Sequence, residues 1–454
     1  MDIRDTVSQV VKDLGKNNVV EAFYADAKEV QISIRNSEIL TQNIIKDAGV
    51  GIRVCLENKT GFACTNTITL ESVRETGEKA IKIARVSSEV SDFALPFPGV
   101  VPEVKGLYDP KVADITIDEA VDTAYTGLTA AENVDPRVTV KGGIILFSFK
   151  RRGIINSYGI NYEEPGTRAV VYLGGVGEYN GSVTGTCSEV AFSCTADVDA
   201  DTVGVKMGEK VLNQMNPQSV DSFEGTVLFA PEAVSYQLAE MISDAVNADA
   251  VLKKRSQWAD SLDSQVASNV LTMYDNGILP GGFSSRQFDD EGTPSQKTVL
   301  IEKGVLQTFL HNATTANALS MENTGNASRD VGGFDLVRNI IGTGYRTEPE
   351  IYPSNLMIHP GTYKKEDLIS EVKKGVLVES MAGFPQKGSG IISAQLDRAF
   401  FIRNGEIQYP IKGGMVSGAG YDWVKTIDAV GNDVKQFQNS VVPTIRVENV
   451  KVVG

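Results

Sequence analysis

The chain has 454 residues, of which 42% are apolar and 22% charged, a globular composition long enough for two domains of roughly 200 residues each. Its formal net charge is −15, and the longest basic runs, Lys150-Arg151-Arg152 and Lys253-Lys254-Arg255, read as a turn or a helix end; clustered Lys and Arg are what a polyanion requires, so no nucleic-acid partner is expected. No run of about 18 apolar residues occurs, and the opening MDIRDTVSQVVKDLG mixes charges into a helical pattern where a signal peptide would carry an apolar core, so a soluble, cytoplasmic protein without membrane contact is expected.

In chain order, VQISIR (30–35) alternates strictly, placing Val30, Ile32 and Ile34 on one face. GVGIRVCLENKTGFACT (49–65) repeats the habit around a turn, which predicts an antiparallel meander. Cys55 and Cys64 flank that turn; with Cys187 and Cys194 they form no CxxC pair and adjoin no histidine, so all four read as free, small hydrophobes. A helix is predicted from Thr69, where Val73, Gly77, Ala80, Ile81 and Ala84 recur at helical spacing behind a Thr cap, and a second over 117–132. Strands follow at 138–149, 153–158, 168–173 and 185–192, then a helix over 202–215.

The polar, proline-containing stretch 213–224 separates two patterned halves, giving domains 1–215 and 225–454. Residues 226–230 read as a short buried strand, and Pro231 with Glu232 opens a helix. Val234, Leu238, Met241, Ile242 and Ala245 make its apolar stripe, which leaves Glu240 and Asp244 on a face expected to be solvated. Hairpins are predicted through Glu302-Lys303-Gly304 and through Asn404-Gly405. The fold class is therefore α+β: two domains of strand-rich antiparallel sheets with a few helices.

Common catalytic signatures fail. The two histidines, His311 and His359, lie in unlike surroundings (FLHNAT and MIHPGT), and HExxH is absent, as is a GxSxG elbow. GGVGEYNG (174–181) and GFPQKGSG (383–390) lack the spacing of nucleotide loops and read as turns. Asp289-Asp290-Glu291-Gly292 has oxygen donors for a divalent cation, but consecutive acids splay and the EF-hand spacing is missing, so a turn entering a strand accounts for it equally well.

One long block, FDDEGTPSQKTVLIEKGVLQTFLHNATTANALSMENTGNASRD (288–330), resembles the TldD/PmbA family, sometimes labelled modulators of DNA gyrase. GVGIRV (49–54), VLFAPEAV (227–234), IRNGEIQYPIKG (402–413), SGAG (417–420) and the final TIRVENVKVVG match in kind and order. The resemblance implies a cytoplasmic metalloprotease of two related subunits, TldD and TldE (PmbA), acting on unfolded peptides and trimming a peptide-antibiotic precursor. In the TldD type, HExxxH on the helix after VLFAPEAV and a later cysteine hold the metal; the TldE type lacks them.

Here the matching positions read Ala239-Glu240-Met241-Ile242-Ser243-Asp244, and Ser380-Met381-Ala382 stands where the cysteine would be. The resemblance thus implies a TldE/PmbA-like subunit with Glu240 at the catalytic position, no metal expected in this chain, zinc in a TldD-like partner, and Asp244 as a weak candidate ligand. Two alternatives are an autonomous metallopeptidase with a Glu240/Asp244 site and a non-enzymatic homodimer that binds peptides. Asp290, Asn326 and Gly383 mark the places where peptide contacts are sought.

Overall fold

The computed structural model describes residues 2–330, 334, 335 and 340–454. The first half opens with α1 (Ile3–Leu14), followed by the meander β1 (Val19–Arg35), β2 (Glu38–Leu56) and β3 (Lys59–Thr65). Then come α2 (Leu70–Val86), α3 (Pro110–Ala113), α4 (Ile117–Val134), β4 (Val138–Asn156), β5 (Asn161–Tyr179), β6 (Ser182–Val183), β7 (Cys187–Ser193) and α5 (Ala200–Asn213). These strands form one antiparallel sheet in the order β3-β2-β1-β4-β5-β6, with β7 also on β5. Three of its hairpins turn on residue pairs that both take positive φ, such as Asn36 (49°) and Ser37 (60°), the geometry that matches strand twist.

Local chemistry explains the helix starts. The Thr69 side chain accepts the Ser72 N–H, and Thr116 with Glu119 forms a reciprocal capping box. Val7, Val10 and Val73 bury against Val20, Ile52 and Val54 at one end of the sheet, and α4 and α5 cover its other end through Ala124, Leu128, Val203 and Met207.

One sequence reading needs refinement here. Gly174–Tyr179 is not a turn but the end of β5, and only Asn180-Gly181 turns. Its glycines let α5 sit close: a Cβ on Gly175 would meet the Met207 sulfur at 2.7 Å. Cys55 pairs opposite Thr60 and Cys64 opposite Gly51, so they do not face each other, and all four cysteines are free.

In the second half, β8 (Phe223–Phe229) belongs to a ring of five strands. Lys374–Ala382 pairs with β8, β8 with Ile445–Val453, that strand with Met415–Ala419, and this with Ile391–Arg403, which returns to Lys374–Ala382. Most pairings are antiparallel; β8 runs parallel to Lys374–Ala382. The predicted hairpin Ile391–Arg403 to Glu406–Pro410 turns on Asn404 (φ 52°) and Gly405 (φ 80°). A second sheet of six strands is built from Met273–Asn276, Lys297–Glu302, Val305–Leu306, Leu356–Ile358, Lys435–Phe437 and Ser440–Val442. The helical segment 231–245 lies in the apolar core these sheets share: Val234, Leu238, Met241, Ile242 and Ala245 cluster with Val376, Ile392, Leu300 and Leu356. Among the described residues no helix is long and apolar enough to cross a membrane.

Candidate functional site

Pro231 occupies the first turn of the 231–245 segment, which suits its fixed φ and missing N–H. Val234–Ala239 is a π-helical turn, and Glu240–Ala245 resumes as α-helix; such single π turns recur at functional sites. Ala239 is buried in the core. Glu240 and Asp244 are half-buried, and the face expected to be solvated is covered.

The cover is the 383–390 segment, tied to the helix at both ends. Gln237 Nε2 donates to the Gly383 carbonyl at 2.7 Å, and Asp244 Oδ2 accepts the Gly388 N–H at 2.8 Å. The segment needs its glycines: Gly390 has φ 64°, and a Cβ there would meet the Tyr421 ring at 2.4 Å. Burial pushes the Glu240 carboxyl above the usual carboxylate range, with Asp244 adding to the effect and Lys387 opposing it.

The donor set does not fit a zinc centre. A catalytic zinc takes three protein ligands, commonly imidazole or thiolate. Ala239 has no donor, one Asp244 oxygen already accepts a backbone N–H, and Ser380 Oγ lies 3.2 Å from Asp397. His311 is buried elsewhere with Nδ1 3.2 Å from Thr315 Oγ1, and His359 is exposed. Among the described residues no three His, Cys, Asp or Glu side chains converge to hold a metal.

Beside the helix lies a cavity of about 300 Å³, lined by Glu232 and Tyr236 from the helix, Tyr172 and Lys210 from the first half, and Phe384 and Asp397. Lys210 Nζ lies 2.6 Å from Glu189 and 3.7 Å from Glu232, and Arg398, nearly fully buried, also pairs with Glu232. Burial next to Glu232 pushes the Tyr236 phenol up to about 12. Phe384 is 75% exposed, so the mouth offers an unsatisfied aromatic ring above a charged floor, a surface suited to a polypeptide with mixed side chains.

The acidic turn is put to another use. Asp289 Oδ1 accepts the Glu291 and Thr293 N–H groups at 3.0 and 2.8 Å, and Oδ2 accepts that of Ala327 at 3.0 Å. Asp290 pairs with Arg152, which also holds Glu164. Glu291 Oε1 lies 2.7 Å from Arg53 Nη2, which is 2.9 Å from Glu21, and Glu21 pairs with Arg329. The turn therefore docks the second half onto the first sheet, and its carboxylates are occupied by N–H groups and guanidiniums rather than turned together toward a shared point. Burial and the neighbouring Glu291 raise Asp289 to about 7, whereas Arg152, Arg286 and Lys150 outweigh burial and hold Asp290 low.

Of the sequence-derived positions, Glu240, Asp244 and Gly383 come together at the helix. Asp290 belongs to the interface between the halves through Arg152, and Asn326, whose Nδ2 donates to Asp275 at 2.7 Å, lies inside the second half. Sequence reasoning missed Arg53, Arg152, Glu164 and Arg329; a charged residue inside an apolar alternating strand, such as Arg53 in GIRVCL, was the available signal.

Three models of one family match in chain order: PmbA/TldA metallopeptidase domain 1 over 20–84, its central domain over 110–215 and its C-terminal domain over 222–454. The chain is 27% identical over 405 residues to a metalloprotease of Methanocaldococcus jannaschii, covering 87% of this chain and 84% of that protein. It is 25% identical over 450 residues to metalloprotease PmbA of Escherichia coli O157:H7, covering 97% and 93%. The crystal structure of TldE from Thermococcus kodakarensis matches with a TM-score of 0.90 at 24% identity, over 99% of this chain and 100% of that one, so the fold is shared.

Proposed function

Starting from the premise that the chain belongs to the PmbA/TldA metallopeptidase family, we propose that it is the metal-free, TldE/PmbA-like subunit of a cytoplasmic peptidase, paired with a TldD-like chain that supplies zinc and cleaves unfolded peptides. The supporting observation is the helix itself: Ala239 is buried without a donor and Asp244 is engaged by Gly388. This chain would contribute peptide-binding surface, the cavity beside Tyr236 and Phe384, and leave the hydrolytic step to its partner.

The test is co-expression with a TldD-like chain. A stable complex with chelator-sensitive peptidase activity, abolished by substitution in the partner's histidine motif and unchanged by Glu240→Gln, is expected. Two separate species at micromolar concentration would remove the subunit reading.

One observation favours the autonomous-peptidase alternative: Glu240, raised by burial beside Asp244, has the environment of a general acid or base. Metal content of the purified untagged chain separates the two readings. Close to one metal per chain, lost in Asp244→Ala, would make it a peptidase in its own right.

A further inference from the structure

A second cavity, of about 140 Å³, opens between the halves, with Lys150, Arg152, Glu164 and Arg168 of β4 and β5 on one wall and Arg286 and Asp290 on the other. Four cationic side chains line it (Lys150, Arg152, Arg168, Arg286) against three anionic ones (Glu164, Asp290, Asp330), one net positive charge in a chain whose net charge is −15. Arg152 is taken by Glu164 and Asp290, and Lys150 by Asp330. Among the described residues, Arg168 and Arg286 have no carboxylate at ion-pair distance.

Their remaining contacts are sparse. Arg168 donates through Nη1 to the Thr167 carbonyl at 2.7 Å, reaches the Cys194 sulfur at 3.5 Å and the Ser285 carbonyl only at 3.4 Å, and stacks over Phe283. Arg286 reaches the Gly325 carbonyl at 3.4 Å, and its Nε is buried without a hydrogen-bond partner. Both guanidiniums thus line the cavity with no paired carboxylate and few hydrogen bonds of their own, and an acceptor entering the cavity would complete them. Three carboxylates are near enough to Arg286 to feel its charge: Asp275 and Asp289, which burial drives toward the neutral acid, and Asp290, which stays ionised but is paired with Arg152.

Size and charge narrow the chemistry. The volume is close to the ~150 Å³ cavity that admits one benzene, so it takes a single small group or the end of a chain. A dianionic phosphate would face Glu164, Asp290 and Asp330 on the same walls; a carboxylate carries one charge and matches the planar fork of a guanidinium. Tyr352, on the wall, is near enough to Glu240 to feel its charge, which places the cavity close to the helix described above.

We infer that this cavity binds a carboxylate between Arg168 and Arg286, the free α-carboxylate of a peptide C-terminus or of a single acylated amino acid. The peptide source rests on the proposed function; the carboxylate chemistry does not. The experiment uses the purified full-length chain and calorimetric titration with four probes: N-acetyl-trialanine as the free acid, the same peptide as its C-terminal amide, N-acetyl-alanine, and inorganic phosphate. The free acid should bind at least about tenfold tighter than the amide, the scale of one lost charge-assisted hydrogen bond. Arg168→Gln and Arg286→Gln should each weaken it by a similar factor. Tighter binding of the tripeptide than of N-acetyl-alanine assigns the peptide source, and equal binding assigns the single amino acid. Equal affinity for acid and amide, preference for phosphate, or no binding up to millimolar acid overturns the inference. The acid–amide comparison needs no variant and no partner chain, so its outcome is independent of whether a TldD-like complex forms.

Discussion

The Arg53–Glu291 contact joins the first sheet to the acidic turn of the second half, and replacing Arg53 tests whether buried charge couples them. Both side chains are almost fully buried, and Arg53 is 2.7 Å from Glu291 and 2.9 Å from Glu21. At an effective dielectric of about 20, each pair attracts by about 6 kcal/mol, against a desolvation cost of several kcal/mol per ion. Removing one partner of such a pair costs about 3–5 kcal/mol, because the other charge stays buried, and that is the loss expected for Arg53→Met. Burial already raises Glu291, and Arg53 is the main influence lowering it, so without Arg53 its folded value moves further up. A carboxyl raised in the folded state contributes stability that is present below its unfolded value of about 4.3 and is lost as pH rises through the folded value. The deficit of Arg53→Met should therefore be small near pH 5 and grow toward pH 8. Arg53→Met/Glu291→Gln keeps an acceptor for the Ala313 N–H that Glu291 now receives at 2.9 Å and should recover a large part of the loss. Denaturant unfolding read by tryptophan fluorescence follows the second half, where both tryptophans, Trp258 and Trp423, lie; circular dichroism follows the whole chain. A loss under about 1 kcal/mol that is the same at both pH values would show that the contact is screened by water and does not couple the halves.

Two further outcomes follow from single groups. Asp244→Ala leaves the Gly388 N–H without its acceptor and should speed hydrogen exchange and proteolysis within 383–390 while the global unfolding midpoint moves little; unchanged exchange at Gly388 would mean the segment is held by other contacts. Burial lowers His311 to about 4, so the folded state binds fewer protons than the unfolded chain between about pH 4 and 6.5, and stability present above that window is lost as pH falls through it, on the order of 3 kcal/mol in total. His311→Leu should flatten this part of the stability-against-pH curve, and an unchanged slope would assign the acid sensitivity to the carboxylates instead.

What was legible in the sequence was local. Asn404-Gly405 announces its hairpin because both residues tolerate the positive φ they adopt, Thr69 announces the helix it caps, and the stripe from Val234 to Ala245 announces the buried side of the helix. Family resemblance led to the right family. What failed depends on partners distant in sequence. The helical spacing puts Glu240 and Asp244 on a solvated face because nothing near them indicates that Gly388, 144 positions later, donates to Asp244. The π turn at Val234–Ala239 has no periodic signature. The acids of 289–291 looked like a spare turn because Arg53 and Arg152, 238 and 138 positions away, are what give them a role. Glycine-rich 174–179 looked like a loop because glycine marks turns and close packing alike, and here it is α5 that needs the room.

The residues at 239 and 244 and the covering segment bear on each other. A metal ion approaching Glu240 and Asp244 would have to displace Gly388 from Asp244 and meet a Glu240 that burial drives toward its neutral, poorly ligating form. Placing histidines at 239 and 244 alone would therefore be insufficient: the Asp244 anchor of 383–390 would be removed by the same substitution, yet Gln237 would still hold Gly383 over the helix. Ala239 compounds this, since it is packed in the core with almost no exposed surface, and an imidazole there would have to displace neighbours at a cost of about 1–3 kcal/mol before any metal bound. The helix is thus committed to packing on the side where a zinc site would require an opening, and building a metal site there would call for changes in the covering segment together with the ligands.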